Sequence, residues 1–184
     1  PPMPVAATVS WLPAGIWWWI QTRSVMMAIA VTATAATGAM NYESAATGAL
    51  TLNAVSTAGN NVTISHAGNI AATSVTTTTG NQTITTSSGT IAVTDINAST
   101  GAVNITGTDD ITINNTGSIT ATGASNIDID PSAGHIRSNA TDDDAAEIIT
   151  AGGTISLEAR DGIADSSGAD GFEIDSGGGN VTLV

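Results

Sequence analysis

The sequence predicts an all-β protein in which an N-terminal apolar, membrane-spanning helix precedes a parallel β-solenoid with coils of about 21 residues. Glycine-led segments recur at a fixed spacing, and apolar residues alternate with small polar residues inside those segments. These two features indicate stacked strands. All four tryptophans lie before residue 20, which indicates a separate N-terminal segment of different character.

The glycine-led segments form two series with one period. Gly59 opens GNNVTIS, Gly80 opens GNQTITT and Gly101 opens GAVNITG, so the spacing is 21 residues twice. Gly68 opens GNIAATS and Gly89 opens GTIAVTD, again 21 residues apart. A unit of this size cannot bury an apolar face alone, but stacked copies can bury a continuous core.

Within each segment, apolar residues occupy every second position, as with Val62 and Ile64 or Ile111 and Ile113. This period of two is typical of a strand with one buried face. Only 10% of the residues are charged, and the abundant Thr, Ile, Gly and Asn favour strands and turns. A β-sandwich is the alternative, although we would expect less regular spacing and more core aromatics from it.

Residues 1–40 are interpreted as a Trp-rich membrane anchor, and residues 41–184 as the solenoid. Ser24 to Met40 is an uncharged run that is long enough to cross a thin bilayer. The positive-inside rule then places the solenoid outside the cytoplasm, on the cell envelope, with lipid and other membrane subunits as partners. The residues expected at the membrane interface are Trp11, Trp17, Trp18, Trp19 and Arg23.

Two other interpretations of this segment stay open. Val25–Val31 and the A-x-A sequence at Ala33–Ala35 fit a cleaved signal peptide. The segment also fits an apolar cap that packs on the end of the solenoid.

Acidic residues are concentrated in the second half of the chain. The net charge is −13, and fifteen of the sixteen acids lie at or after Asp95. Such a surface repels phosphate backbones and disfavours nucleic-acid binding. The absence of cysteine excludes thiol chemistry and disulfides.

The range 131–150 interrupts the repeat and is predicted to be an acidic loop inserted on one side of the solenoid. Inserted loops on solenoids often bind partners, here a protein or carbohydrate ligand. The candidate binding residues of this loop are Arg137, Asp142, Asp143, Asp144 and Glu147.

A calcium site is predicted just before this loop. Asp128, Asp130 and Ser132 place oxygen ligands at alternating positions, and Ca²⁺ prefers oxygen ligands. Positions two apart on a strand point to the same side, so the two carboxylates are expected on one face. No other cofactor is predicted.

The segments GTISLEARDGIADSSGADGFEIDSGGGNVTLV and GNNVTISHAGNIAATS resemble the repeats of filamentous-haemagglutinin-type adhesins of bacterial surfaces. The resemblance covers roughly residues 48–184 and implies a right-handed parallel β-solenoid. The expected function is a non-catalytic scaffold or accessory subunit of a membrane-associated assembly. The alternatives are a surface adhesin fragment that binds host or matrix ligands, and a polysaccharide-active β-helix enzyme.

Overall fold

The computed structural model describes residues 5–12, 21–22, 28–139, 146–165 and 172–184, and every regular element in these ranges is a β-strand. The strands are β1 (Val5–Leu12), β2 (Gln21–Thr22), β3 (Ile29–Ala35), β4 (Met40–Ser44), β5 (Leu50–Thr57), β6 (Val62–His66), β7 (Ile70–Ala72), β8 (Val75–Thr77), β9 (Gln82–Thr86), β10 (Ile91–Ala98), β11 (Val103–Gly107), β12 (Ile111–Ala121), β13 (Ile127–Pro131), β14 (His135–Ser138), β15 (Ile148–Thr150), β16 (Ile155–Leu157), β17 (Gly162–Asp165), β18 (Ile174–Asp175) and β19 (Val181–Leu183).

The chain forms a parallel β-solenoid with coils of about 22 residues, which confirms the fold predicted for the repeat region. An eleven-stranded sheet and an eight-stranded sheet run along the stack. The larger sheet bends, because β10 pairs with β7 through its first half and with β8 through its second half. Each coil therefore has a first and a second face in the larger sheet and a third face in the smaller sheet. One coil has Ile70–Ala72, Val75–Thr77 and Gln82–Thr86 on its first, second and third faces.

The core is a set of apolar columns that run along the stack. On the third face, Ile64 pairs with Ile84, Ile84 with Ile105, and Ile105 with Ile129. None of these four side chains is more than 1% exposed. Burying a side chain of this size stabilises a fold by about 1.5–3 kcal/mol. The alternation read from the sequence therefore corresponds to the inward and outward positions of each strand.

At the corner between the second and third faces, Gly80 and Gly101 lie where the backbones of successive coils come into close contact. A Cβ atom on Gly101 would lie 2.0 Å from the carbonyl oxygen of Gly80, and one on Gly80 would lie 2.0 Å from that of Asn60. Thr77 Oγ1 donates a 2.6 Å hydrogen bond to the Gly80 carbonyl and closes the same turn. This close backbone approach explains the repeated glycine.

Asparagine side chains continue the hydrogen-bond ladder through the same corner. Asn61 Oδ1 accepts from Asn81 N–H at 2.9 Å, and Asn81 Oδ1 accepts from Ala102 N–H at 2.9 Å. Asn126 Oδ1 does the same for Thr154 N–H at 3.0 Å. Each amide oxygen satisfies a backbone donor of the next coil that would otherwise lack a ladder partner.

The prediction of an N-terminal membrane-spanning helix is wrong for the described residues. Ile29–Ala35 forms β3, which pairs in parallel with β1 and β5. Ile29, Val31, Ala33 and Ala35 are buried, and the residues between them lie on the other side of the strand. This segment thus has the strand period of two, and stacking on β5 buries its apolar side without a bilayer.

No helix that is long and apolar enough to cross a membrane occurs in the described ranges. Trp11 belongs to β1. The other residues predicted at a membrane interface (Trp17, Trp18, Trp19 and Arg23) lie outside the described residues. The assignment of the solenoid to the outer side of a membrane depended on the helix, and it stays a prediction.

Candidate binding surface

The corner between the first and second faces differs from coil to coil, and we call it the variable corner. Two residues, 94–95, separate Val93 from Ile96 in one regular coil. Five residues, 114–118, separate Ile113 from Ile119 in the next coil. The following two coils have nine residues, 139–147, and eight residues, 166–173, at the same place. The corner between the second and third faces keeps four or five residues throughout the same coils. Insertions are therefore confined mainly to one edge of the solenoid.

Glu147 anchors the longest connection of the variable corner to the core. Its side chain is 1% exposed. Ser138 Oγ donates to Glu147 Oε1 at 3.1 Å, and Glu173 N–H donates to Glu147 Oε2 at 2.7 Å. Its carbonyl accepts from Ile119 N–H at 2.7 Å. Glu147 thus links three successive coils through its side chain and its backbone carbonyl, and the hydrogen bonds to its carboxyl group offset the cost of burying that group.

The two predicted binding residues that the structure describes, Arg137 and Glu147, lie in different environments. Arg137 lies in β14 and Glu147 lies directly before β15, and both strands pair with β12. Arg137 is partly exposed on the outer side of the first face, whereas Glu147 is buried. Asp142, Asp143 and Asp144 lie outside the described residues.

Arg137 instead belongs to a charged cluster on the first face, with Asp110 and His135. Arg137 Nε donates to Asp110 Oδ2 at 2.9 Å. His135 Nδ1 lies 2.9 Å from Arg137 Nη2 and 3.2 Å from Asp110 Oδ1, so it accepts from the guanidinium in one tautomer and donates to the carboxylate in the other. The side chains of the three residues are about one-third exposed, so solvent weakens the ion pair.

Sequence reasoning missed two residues of this cluster as site residues, Asp110 and His135. Asp110 takes the place that Asn69 has two coils earlier, where Asn69 Oδ1 accepts from Thr90 N–H at 3.0 Å. Asp110 Oδ1 accepts from His135 N–H at 2.8 Å. This backbone hydrogen bond, together with hydrogen bonds from the Arg137 and His135 side chains, lowers the pKa of Asp110 despite the opposing effect of burial. The repeat spacing could have found it, because the period leads from Asn69 and Thr90 to Asp110.

The calcium candidates lie on and after β13 on the third face. Asp128 and Asp130 occupy the outward positions between the buried Ile127, Ile129 and Pro131. Asn104 Nδ2 lies 3.5 Å from Asp128 Oδ2. Within the described ranges, no group of three or more His, Cys, Asp or Glu side chains is arranged to hold a metal ion.

Ser132 follows on the exposed turn, and its N–H donates to the Gly107 carbonyl at 2.8 Å. The strand therefore presents the Asp128 and Asp130 carboxylates on one side, and Glu158, on the next coil, is also exposed. Calcium binding by these residues stays a prediction.

No protein-family model, curated protein sequence or solved structure matches the chain.

Proposed function

We propose that this chain is a non-catalytic scaffold, in which the stacked coils form a rigid support and the variable corner presents the partner-binding segments. The observation that carries the proposal is the growth of one corner from two residues to five, nine and eight in successive coils. In repeat proteins, insertions map to loops on one face, and that face is often the one that binds a partner.

The chemistry of the variable corner favours a basic partner. The connection 139–147 contains Asp142, Asp143, Asp144 and Glu147, and Glu147 is satisfied inside the core. The three aspartates therefore account for the remaining charge of that connection. A run of carboxylates attracts a cationic surface and increases its rate of association.

A titration with a lysine-rich peptide at low salt tests this proposal. The triple variant Asp142→Asn, Asp143→Asn, Asp144→Asn should weaken peptide binding by about tenfold or more, since each lost charge removes a favourable pairing. The matched control is Asp128→Asn, Asp130→Asn, Glu158→Gln, which removes the same charge from the third face. An equal loss in both variants would show that only net charge attracts the peptide, and would contradict the proposal.

A narrower form of the proposal is a surface adhesin that binds host or matrix ligands. The resemblance of residues 48–184 to filamentous-haemagglutinin-type repeats supports it, together with the parallel solenoid architecture. This form predicts that the intact chain binds to extracellular-matrix glycoproteins coated on a surface, and that the triple aspartate variant loses this binding.

A further inference from the structure

His66 is a histidine in the interior of the solenoid. It occupies an inward position at the end of β6 and is 2% exposed. Its neighbours in the same column are Ser44 in the coil before and Thr86 in the coil after. The proposed function does not use this residue, so its presence in a core of Ile, Val and Leu calls for its own explanation.

The hydrogen bond of His66 defines its protonation state. Nε2 lies 2.7 Å from the carbonyl oxygen of Gly48. Because a carbonyl only accepts, Nε2 carries the hydrogen and donates it. Nδ1 is buried without a hydrogen-bond partner. The folded structure therefore accommodates a neutral imidazole and offers no acceptor for a second proton.

The next coil makes the same hydrogen bond without a titratable group. Thr86 Oγ1 donates to the carbonyl of Gly68 at 2.6 Å, and both pairs are separated by 18 residues. The corner therefore needs a donor at this position but does not need histidine. What histidine adds is a second ring nitrogen, and an imidazole that is exposed to solvent binds a proton near neutral pH.

Among the described residues, none that packs against His66 carries a compensating negative charge. The Tyr42 ring centroid lies 6.2 Å from that of His66, and the Tyr42 hydroxyl is itself buried without a partner. Glu43, next to Tyr42 on β4, is on the exposed side of that strand. Tyr42 is thus the titratable side chain that faces His66. The other packed elements, β5, β7, β9 and the connection 45–49, contain no acidic or basic residue.

We propose that His66 is an acid-sensitive latch between the coils of β4 and β6. Protonation of Nδ1 places an unpaired charge in the core, and burial of an unpaired charge is strongly unfavourable. In a solenoid each coil contacts only its neighbours, so the coils around His66 open while the later coils stay stacked. Acidification to pH 5–6 thereby loosens the coils around His66 and leaves the expanded coils after Ile111 stacked.

Hydrogen exchange on the full chain, measured between pH 7.5 and 5.5, tests the latch. After correction for intrinsic exchange rates, the opening constant of amides in Met40–Ser44 and Val62–His66 should rise by up to about tenfold in total over this pH range, because the ordinary pKa of an exposed imidazole is about 6.5. Amides in Val103–Gly107 and Ile127–Pro131 should not change. Carboxylates remain ionised in this pH range, so they do not contribute. Equal pH dependence in both pairs of strands would overturn the proposal.

The variant His66→Thr reproduces the donor of the next coil and should remove the pH dependence of opening in β4 and β6. The control variant His135→Gln replaces the other histidine of the chain and should keep the pH dependence of opening in β4 and β6. Retention of the pH dependence in His66→Thr would overturn the latch. If His66→Thr does not fold, ring ¹⁵N shifts of the wild-type protein decide instead. The folded protein should show the neutral Nε2–H form of His66 at pH 5.5, and an imidazolium there would refute the proposal.

Discussion

The coils between Leu50 and Gly107 and the coils after Ile111 are built on the same three faces but tolerate different changes. Successive regular coils are 20 or 21 residues apart, as Leu50, Ile70, Ile91 and Ile111 show on the first face. After Ile111 the same face advances by 25 residues to Ile136 and by 27 to Ile163. Buried apolar residues of both regions belong to one core cluster, which includes residues from Ile29 to Ala159. A stack of parallel coils therefore accommodates extra residues in connections outside the hydrogen-bond ladder. It does not accommodate them where the backbones of neighbouring coils are in contact.

The largest effect is expected when the same Gly-Ser dipeptide is inserted at the corner between the second and third faces and at the variable corner. Between Gly80 and Asn81 the insertion shifts the ladder bonds of Asn81 and displaces the buried Gln82, so we expect a loss of about 4 kcal/mol or more in unfolding free energy. Between Asn115 and Thr116 the added loop costs about 0.3 kcal/mol. Urea unfolding measures both, and similar losses would contradict the distinction between the two corners.

Substitution of glycine tests the close approach of coils at the constant corner. Gly80→Ala places a Cβ 2.0 Å from a backbone oxygen, and relief requires the two coils to separate. We expect a loss of about 2–4 kcal/mol in unfolding free energy. Gly59→Ala is the control, because its nearest atom is Thr79 Oγ1 at 3.4 Å, and it should change stability by less than about 1 kcal/mol. A tolerated Gly80→Ala would mean that the coils do not touch there.

Removal of the Glu147 carboxylate tests how the expanded coils are anchored. Glu147→Leu leaves the Ser138 hydroxyl and the Glu173 N–H without this acceptor, and we expect a loss of about 1–3 kcal/mol. Glu158→Leu, at an exposed position, should change the unfolding free energy by less than about 0.5 kcal/mol. Glu147→Gln retains an acceptor and should lose less than Glu147→Leu. Thermal unfolding of the three variants measures these losses of stability, and a different order among them would contradict the anchoring role of Glu147.

The smallest effect concerns Asp110 and the charged cluster. Its folded pKa is lowered, so its contribution to stability is present above the unfolded value of about 3.9 and is lost as the pH falls through the folded pKa. Because the group is about one-third exposed, we expect this contribution to be no more than about 1 kcal/mol.

Asp110→Asn keeps the backbone hydrogen bond that Asn69 makes in an earlier coil, and it should therefore lose less stability than the wild-type protein between pH 5 and pH 2. Urea unfolding across this range measures the difference. Parallel pH curves for the two proteins would show that the cluster does not stabilise the fold.

Much of the fold could be predicted from local patterns. The 21-residue glycine spacing and the alternation at Val62 and Ile64 indicated stacked strands, and the structure confirms them. The same alternation at Ile29 and Val31 was overlooked because hydropathy and the nearby tryptophans suggested a membrane helix. The mean hydropathy of an apolar segment does not distinguish a buried strand from a helix, whereas the period of its apolar positions does.

The candidate site was less accessible to sequence reasoning. Arg137 was identified as a binding residue, but its partner Asp110 is 27 positions away in another coil. Glu147 was expected in a binding loop and is instead an anchor in the core. Both differences depend on which residues the stacking places side by side, and connections of five and nine residues, in place of two, shift the simple 21-residue period.

The sequence by itself determined the strand period, the coil length and the acidic character of the second half, because these properties belong to residues that are close along the chain. The tertiary structure alone decided that β1 and β3 join the stack, that insertions gather at the variable corner, and that His66 is buried. These outcomes depend on the register between coils. That register is set by the packing of residues 20 or more positions apart, and no local pattern contains it.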